Sequence, residues 1–104
     1  MAQFDVYVND AQETSELFPF LLDVQAEMLD NLPTRVVVPL IRSSAIGKPI
    51  PILNPLLHVQ HTEVIMSTPQ LVGVQTQILG TKVCSVKDKR DVIIAALDLL
   101  FTGY

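Results

Sequence analysis

The hydrophobic period changes once along this chain, near Asp88, and that change constrains the fold more than any other feature. From there onward Ile93, Leu97, Leu100 and Tyr104 fall on one helical face, with Ala96 beside them. Before it, apolar residues alternate with polar ones or gather in short β-branched runs, as strands do. The order is strands first and one helix last, which predicts a β-rich α+β domain. Asp88 and Asp91 suit the positive end of the helix dipole. Ser85 or Asp88 suits its cap, and Gly103 suits the position just past its end. The opposite side carries Ile94, Asp98 and Phe101, too apolar for a simple surface helix. The final run, Leu99-Leu100-Phe101-Thr102-Gly103-Tyr104, stays apolar where chains normally turn polar. Such an end is either tucked into a core or offered to a partner.

Six or seven short strands precede the helix. Phe4 to Val8 alternates, and Asn9 to Glu16 reads as a polar loop. Phe18 to Gln25 is a second strand, with Pro19 at its beginning or on an edge. Asn31 to Thr34 supplies a turn. Arg35 to Ile41 is the clearest β run, and Pro39 implies a bulge or an edge within it. Ser43 to Pro55 is a long loop with room for one short helical turn. Ile52 to Gln60 and Glu63 to Ser67 read as paired strands joined near His61-Thr62. Pro69-Gln70-Leu71 is a break. Val74 to Leu79 alternates and is expected to end at Gly80, with Thr81 to Cys84 one more short strand. The length of 104 residues argues for one domain over residues 1–104.

Hydrophobic residues make up 49% and charged residues 17% of the chain, so its surface is short of charge. Part of the apolar area is therefore expected to lie under a partner, most simply a second copy. The net charge of −4 argues against a direct grip on nucleic acid. Only Lys87, Lys89 and Arg90 cluster, and they alternate with Asp88 and Asp91. The single cysteine, Cys84, excludes an internal disulfide and fits a reducing, cytoplasmic setting. The start of the chain shows no secretory pattern, and no apolar run is long enough for a membrane span.

Chemistry-bearing constellations are sparse. His58 and His61 stand three apart in β-like sequence, where they point to opposite faces, with no third ligand beside them. Cys84 reads as a small buried hydrophobe. Asp23 and Glu27 form a nominal carboxylate pair, for which a solvated or turn role is expected rather than acid–base work. No phosphate-binding glycine loop or nucleophile elbow is present. No catalytic residue, metal or cofactor is implied.

Several segments, read in order, resemble the CcdB family of plasmid and chromosomal toxins that poison DNA gyrase. They are Gln3-Phe4-Asp5-Val6-Tyr7, Asp23-Val24-Gln25 followed by Glu27-Met28-Leu29-Asp30, Arg35-Val36-Val37-Val38-Pro39-Leu40, His58 in its strand, and Phe101-x-Gly103-x. The resemblance implies an SH3-like, mainly antiparallel sheet of the CcdB/MazF type. About five strands are implied, with a small second sheet and one C-terminal helix, in a two-fold homodimer. It implies a toxin without catalysis, which inserts between the A subunits of gyrase and traps the enzyme on cut DNA. It also implies a cognate CcdA-like antitoxin with a disordered C-terminal tail. The gyrase-facing residues by this pattern are Met28, Leu29, Asp98, Phe101, Thr102, Gly103 and Tyr104. Gly103 suits close backbone approach, and Phe101 and Tyr104 suit aromatic anchors.

The chain also departs from the pattern. The best-known family member carries a Trp at the place of Thr102, an Asn at Asp98 and an Ile at Tyr104. Its loop corresponding to Asn9–Leu17 is shorter, and Ser43–Leu53 is quite different. These loops lie where the family's antitoxin docks. Taken without the resemblance, Met28, Leu29 and the apolar tail are more simply core residues. Two other functions remain open at this level. One is a non-toxic relative that only binds antitoxin. The other is a MazF-like endoribonuclease, for which Thr34 and Arg35 would be the nearest candidate groups.

Overall fold

The computed structural model describes residues 2–103. Seven strands and one α-helix follow in the expected order: β1 Asp5–Asn9, β2 Phe20–Asp23, β3 Thr34–Arg42, β4 Leu56–Val59, β5 Thr62–Met66, β6 Val72–Gln75, β7 Leu79–Ser85 and α1 Arg90–Thr102. All neighbouring strands are antiparallel, in the order β4-β5-β3-β2-β1-β7. The seven strands share one sheet that forks at β3. β5 pairs with Leu40–Arg42 of β3, whereas β6 pairs with Thr34–Val37 along the same edge.

The fork explains Pro39. β3 is the longest strand and is interior, so Pro39 sits neither at an edge nor at a bulge. It pairs with Leu21 of β2 on one side. On its other side its carbonyl accepts a bond from the Ser67 amide at 3.0 Å, between the stretches bonded to β6 and β5. A residue's N–H and C=O point the same way from a strand. The missing donor therefore falls where the partner strand changes, and no ladder bond is lost there.

β1 and β7 pair with two register shifts, between Val6 and Tyr7 and between Tyr7 and Asn9. Such bulges bend and twist a sheet. The curl brings the β4–β5 turn round to β7, where the Gln60 backbone hydrogen-bonds the Cys84 side chain. The concave side encloses the main core. Val6, Leu22, Val38 and Leu40 from the middle strands meet Leu57, Val59, Val64 and Met66 from the β4–β5 hairpin, with Ile93 and Ala96 of α1 closing it. The opposite side holds a smaller cluster of Tyr7, Leu21, Val37 and Leu79, covered in part by Val74 and Ile78.

Several boundaries differ from the sequence reading. β2 is only Phe20–Asp23, with Pro19 just before it. The alternating run at Val74–Leu79 is split: β6 ends at Gln75, and Thr76–Ile78 is a 3-10 turn. Gly80 does not end a strand. It lies inside β7, where an added Cβ would stand 2.7 Å from the Asp10 carboxylate and 3.0 Å from the Val8 carbonyl. Its lack of a side chain lets the bulged strands approach.

The helix begins without a side-chain cap, so neither Ser85 nor Asp88 caps α1 itself. Its start is anchored instead by tertiary contacts. The Val86 amide donates to the Phe4 carbonyl at 2.9 Å, and the Arg90 guanidinium lies 5.7 Å above the Phe4 ring. Gly103 takes φ 80° and its amide bonds the Leu99 carbonyl, ending the helix as expected. Among the described residues, no helix is long and apolar enough to cross a membrane.

Candidate functional site

The seven residues singled out from the sequence fall into two exposed patches, with Tyr104 outside the described residues. One patch is the end of α1. Ile93 and Ala96 are fully buried, and Ile94 and Leu97 pack against the same core. Phe101, Thr102 and Gly103 are all exposed, Phe101 to 66%. Leu99 and Leu100 stay partly buried, so it is the final residues, Phe101 to Gly103, that lie clear of the sheet. Asp98 is exposed beside them, and the Thr102 hydroxyl donates back to the Asp98 carbonyl at 2.7 Å. That bond occupies the hydroxyl within the helix and leaves Phe101 as the large apolar feature of the described tip.

The second patch is the 3-10 turn Glu27–Leu29 that follows β2. Met28 is 88% exposed and Leu29 47%, so neither fills the core. The turn is braced from below by buried polar groups. Arg35 of β3 is fully buried, with its Nε 2.9 Å from Asp23 Oδ2 and its Nη1 2.7 Å from Asp30 Oδ1. Its Nη2 lies 2.6 Å from the same Asp23 oxygen. Gln25 adds a second clasp. Its side-chain amide donates to the Leu29 carbonyl at 2.9 Å, while its Oε1 accepts from the Val36 amide at 3.0 Å. The turn carries its own short bonds, Leu29 amide to Ala26 carbonyl and Asp30 amide to Glu27 carbonyl, both 3.0 Å.

Of the two roles expected for Asp23, the structure shows the turn role, since its Oδ1 accepts from the Gln25 amide at 3.0 Å, and not the solvated one, since it is fully buried. Burial pushes its carboxyl above the usual carboxylate range, against the pull of the Gln25 amide and Arg35. Tyr7 is drawn into the same cluster. Its hydroxyl donates to Asp5 Oδ2 at 3.4 Å, and burial, reinforced by the Asp5 and Asp23 charges, raises its pKa to about 12. Asp5 in turn faces Lys82 at 3.5 Å.

Sequence reasoning missed this cluster, although one signal was present. Arg35, Val37 and Ile41 share one face of β3, and Val36, Val38 and Leu40 share the other. A strand apolar on both faces is buried on both. A charge within it requires a counter-ion. The remaining sequence candidates are ordinary. His58 is exposed and faces Glu63 across the β4–β5 pair at 3.7 Å, and Cys84 is partly buried with its thiol pKa pushed up by that burial.

The two patches leave different sides of the sheet. α1 packs on the concave core, whereas Asp30 ties the turn to Arg35, on the face that carries Tyr7 and Leu21. A comparison with protein-family models matches residues 3–103 to the CcdB protein family. The chain belongs to the CcdB family. The match spans both patches and every strand, so the antiparallel sheet with its terminal helix is the CcdB fold. Membership makes the chain a toxin of the toxin–antitoxin kind, with an antitoxin as partner and a general link to gyrase.

Proposed function

We propose that this CcdB-family chain binds the A subunit of DNA gyrase as a homodimer and traps the enzyme on cleaved DNA. The contacts are the helix tip (Asp98, Phe101, Thr102, Gly103 and Tyr104) and the turn bearing Met28 and Leu29. The observation that carries this reading is the exposed end of α1. Phe101 is two-thirds exposed there, more than any other apolar residue of the described helix, and burying a Phe fully is worth about 1.5–3 kcal/mol. Aromatic side chains of this kind dominate interface energies. Met28 supplies a second apolar contact on a short, internally bonded turn. A two-fold dimer presents each patch twice to a two-fold target, which adds avidity.

In this reading the toxin performs no catalysis. The endoribonuclease alternative would need an accessible cation for the RNA phosphate. Arg35, its nearest candidate, is buried between Asp23 and Asp30. A CcdA-like antitoxin would neutralise the dimer.

The direct test mixes the folded protein with the gyrase A dimerisation domain. A complex is expected, and its absence at tens of micromolar would overturn the proposal. Expression in paired hosts, one with normal and one with toxin-resistant gyrase, extends the test to cells. Killing of the first host alone is expected. Growth of both, with complex formed in vitro, would instead mark a binding-competent but non-toxic relative.

A further inference from the structure

We infer that Arg35 and Asp30 act as positioning residues for the Met28–Leu29 contact, holding the turn in the shape that gyrase reads. The inference rests on the gyrase-binding reading above. Met28 is 88% exposed, so the core does nothing to fix its place. The turn beneath it is one short 3-10 unit, too short to be stable alone. What fixes it is a set of ties to the sheet. Asp30, at one end of the turn, reaches Arg35 Nη1 at 2.7 Å. Asp23, before the other end, holds the same guanidinium through Nε at 2.9 Å. The Gln25 side chain closes the loop between the Leu29 carbonyl and the Val36 amide. The guanidinium is planar, with its donors in a fixed fork, so it sets both the distance and the angle between its two carboxylates. A turn ordered before binding loses less entropy on binding, which slows dissociation.

Asp30→Asn is the informative variant. The Asp30 side chain is 45% exposed, so the change loosens the tie without leaving a buried charge unpaired in the core. Two readouts separate the inference from the reading beneath it. Amide hydrogen exchange at Leu29 and at residue 30 should quicken about tenfold or more, while Leu22 and Val38 keep their protection. Dissociation from the gyrase A dimerisation domain should quicken about tenfold in Asp30→Asn. Adding Asp30→Asn to a Met28→Ala/Leu29→Ala protein should change dissociation less than about twofold, because the contact it positions is already gone. Asp30→Glu, which keeps the charge, should restore part of the loss.

Unchanged turn exchange would overturn the inference. So would native dissociation by Asp30→Asn, or a full tenfold effect on top of the Met28→Ala/Leu29→Ala background. If the native protein fails to bind gyrase A, the functional reading falls instead, and the exchange experiment still decides whether Asp30 braces the turn.

Discussion

Arg35→Met tests the buried cluster directly. The substitution keeps most of the side chain's length and apolar stem but removes the guanidinium between Asp23 and Asp30. Asp23 then stays fully buried with its charge uncompensated, retaining the Gln25 amide as a hydrogen-bond donor. Removing one partner of a buried pair typically costs about 3–5 kcal/mol. For a domain of this size each kcal/mol moves Tm by about 4–8 °C, so a fall of about 12–40 °C is expected. Thermal and urea unfolding of Arg35→Met would measure it. A second substitution, Asp23→Leu, removes the stranded carboxylate and should recover more than half of the loss, since apolar replacements of buried pairs are often neutral.

The pH dependence has a definite sign. Burial already raises the Asp23 carboxyl in the folded protein, and loss of Arg35 raises it further. Between the unfolded and folded pKa values the folded state then holds more protons, so stability falls as pH rises through that window. Arg35→Met should accordingly regain stability on acidification from neutral pH, down to the unfolded carboxylate pKa of about 3.9. A loss below about 1 kcal/mol, or a double variant no better than the single, would refute the claim that Arg35 and Asp23 are coupled in the core.

Three further outcomes follow from single residues. Phe101→Ala should leave folding stability within about 1 kcal/mol while weakening gyrase A binding by about 1–2 kcal/mol per tip, as read by calorimetry, because Phe101 is 66% exposed; a destabilised fold with unaltered binding would reverse its assigned role. Gly80→Ala should destabilise by about 1–3 kcal/mol in urea unfolding, since its Cβ would stand 3.0 Å from the Val8 carbonyl as well as against Asp10. Because Tyr7 titrates at about 12 in the folded protein and 10.0 is its ordinary value, stability should fall as pH rises between those values, by on the order of 2 kcal/mol. Tyr7→Phe should flatten that alkaline fall, and an identical profile in the variant would count against the assignment.

Much of the fold was legible because local pattern and tertiary packing agree. The helix shows its period from Ile93 to Leu100, and Gly103 supplies the positive φ at its end. β3 announces itself through its β-branched run. Disagreements arise where a distant strand decides. Gly80 looks like a terminator, yet it is the residue that lets bulged β7 approach β1. Pro39 looks like an edge marker, yet an interior strand accepts it because β5 and β6 divide one edge of β3. The alternation through Val74–Leu79 continues beyond the point where the chain leaves the ladder. For the site, periodicity alone left the apolar helix end undecided between core and surface. Exposure of Phe101 and Met28 depends on how far the sheet reaches beneath them, which no local signal encodes. The resemblance supplied those positions, whereas the Arg35 brace needed the pairing register.

The two exposed patches leave different sides of the sheet, yet one junction holds both. The Asp23 carbonyl accepts the Phe4 amide at 2.6 Å, and the Phe4 carbonyl accepts the Val86 amide at the base of the helix. Arg90, the first helical residue, lies over the Phe4 ring. The Asp23 side chain meanwhile reaches Arg35 and the Gln25 amide beneath the turn. Phe4 adopts φ 71°, a conformation uncommon for a residue with a side chain, so these contacts fix a locally strained link. Phe4–Asp23 is therefore one link between the turn and the base of the helix, well away from either tip. Loosening Asp30 frees the turn alone, whereas disturbing Asp23 reaches the base of the helix as well. On the proposed gyrase-binding reading, a target that touches both patches, in one copy or across two, is sensitive to this junction.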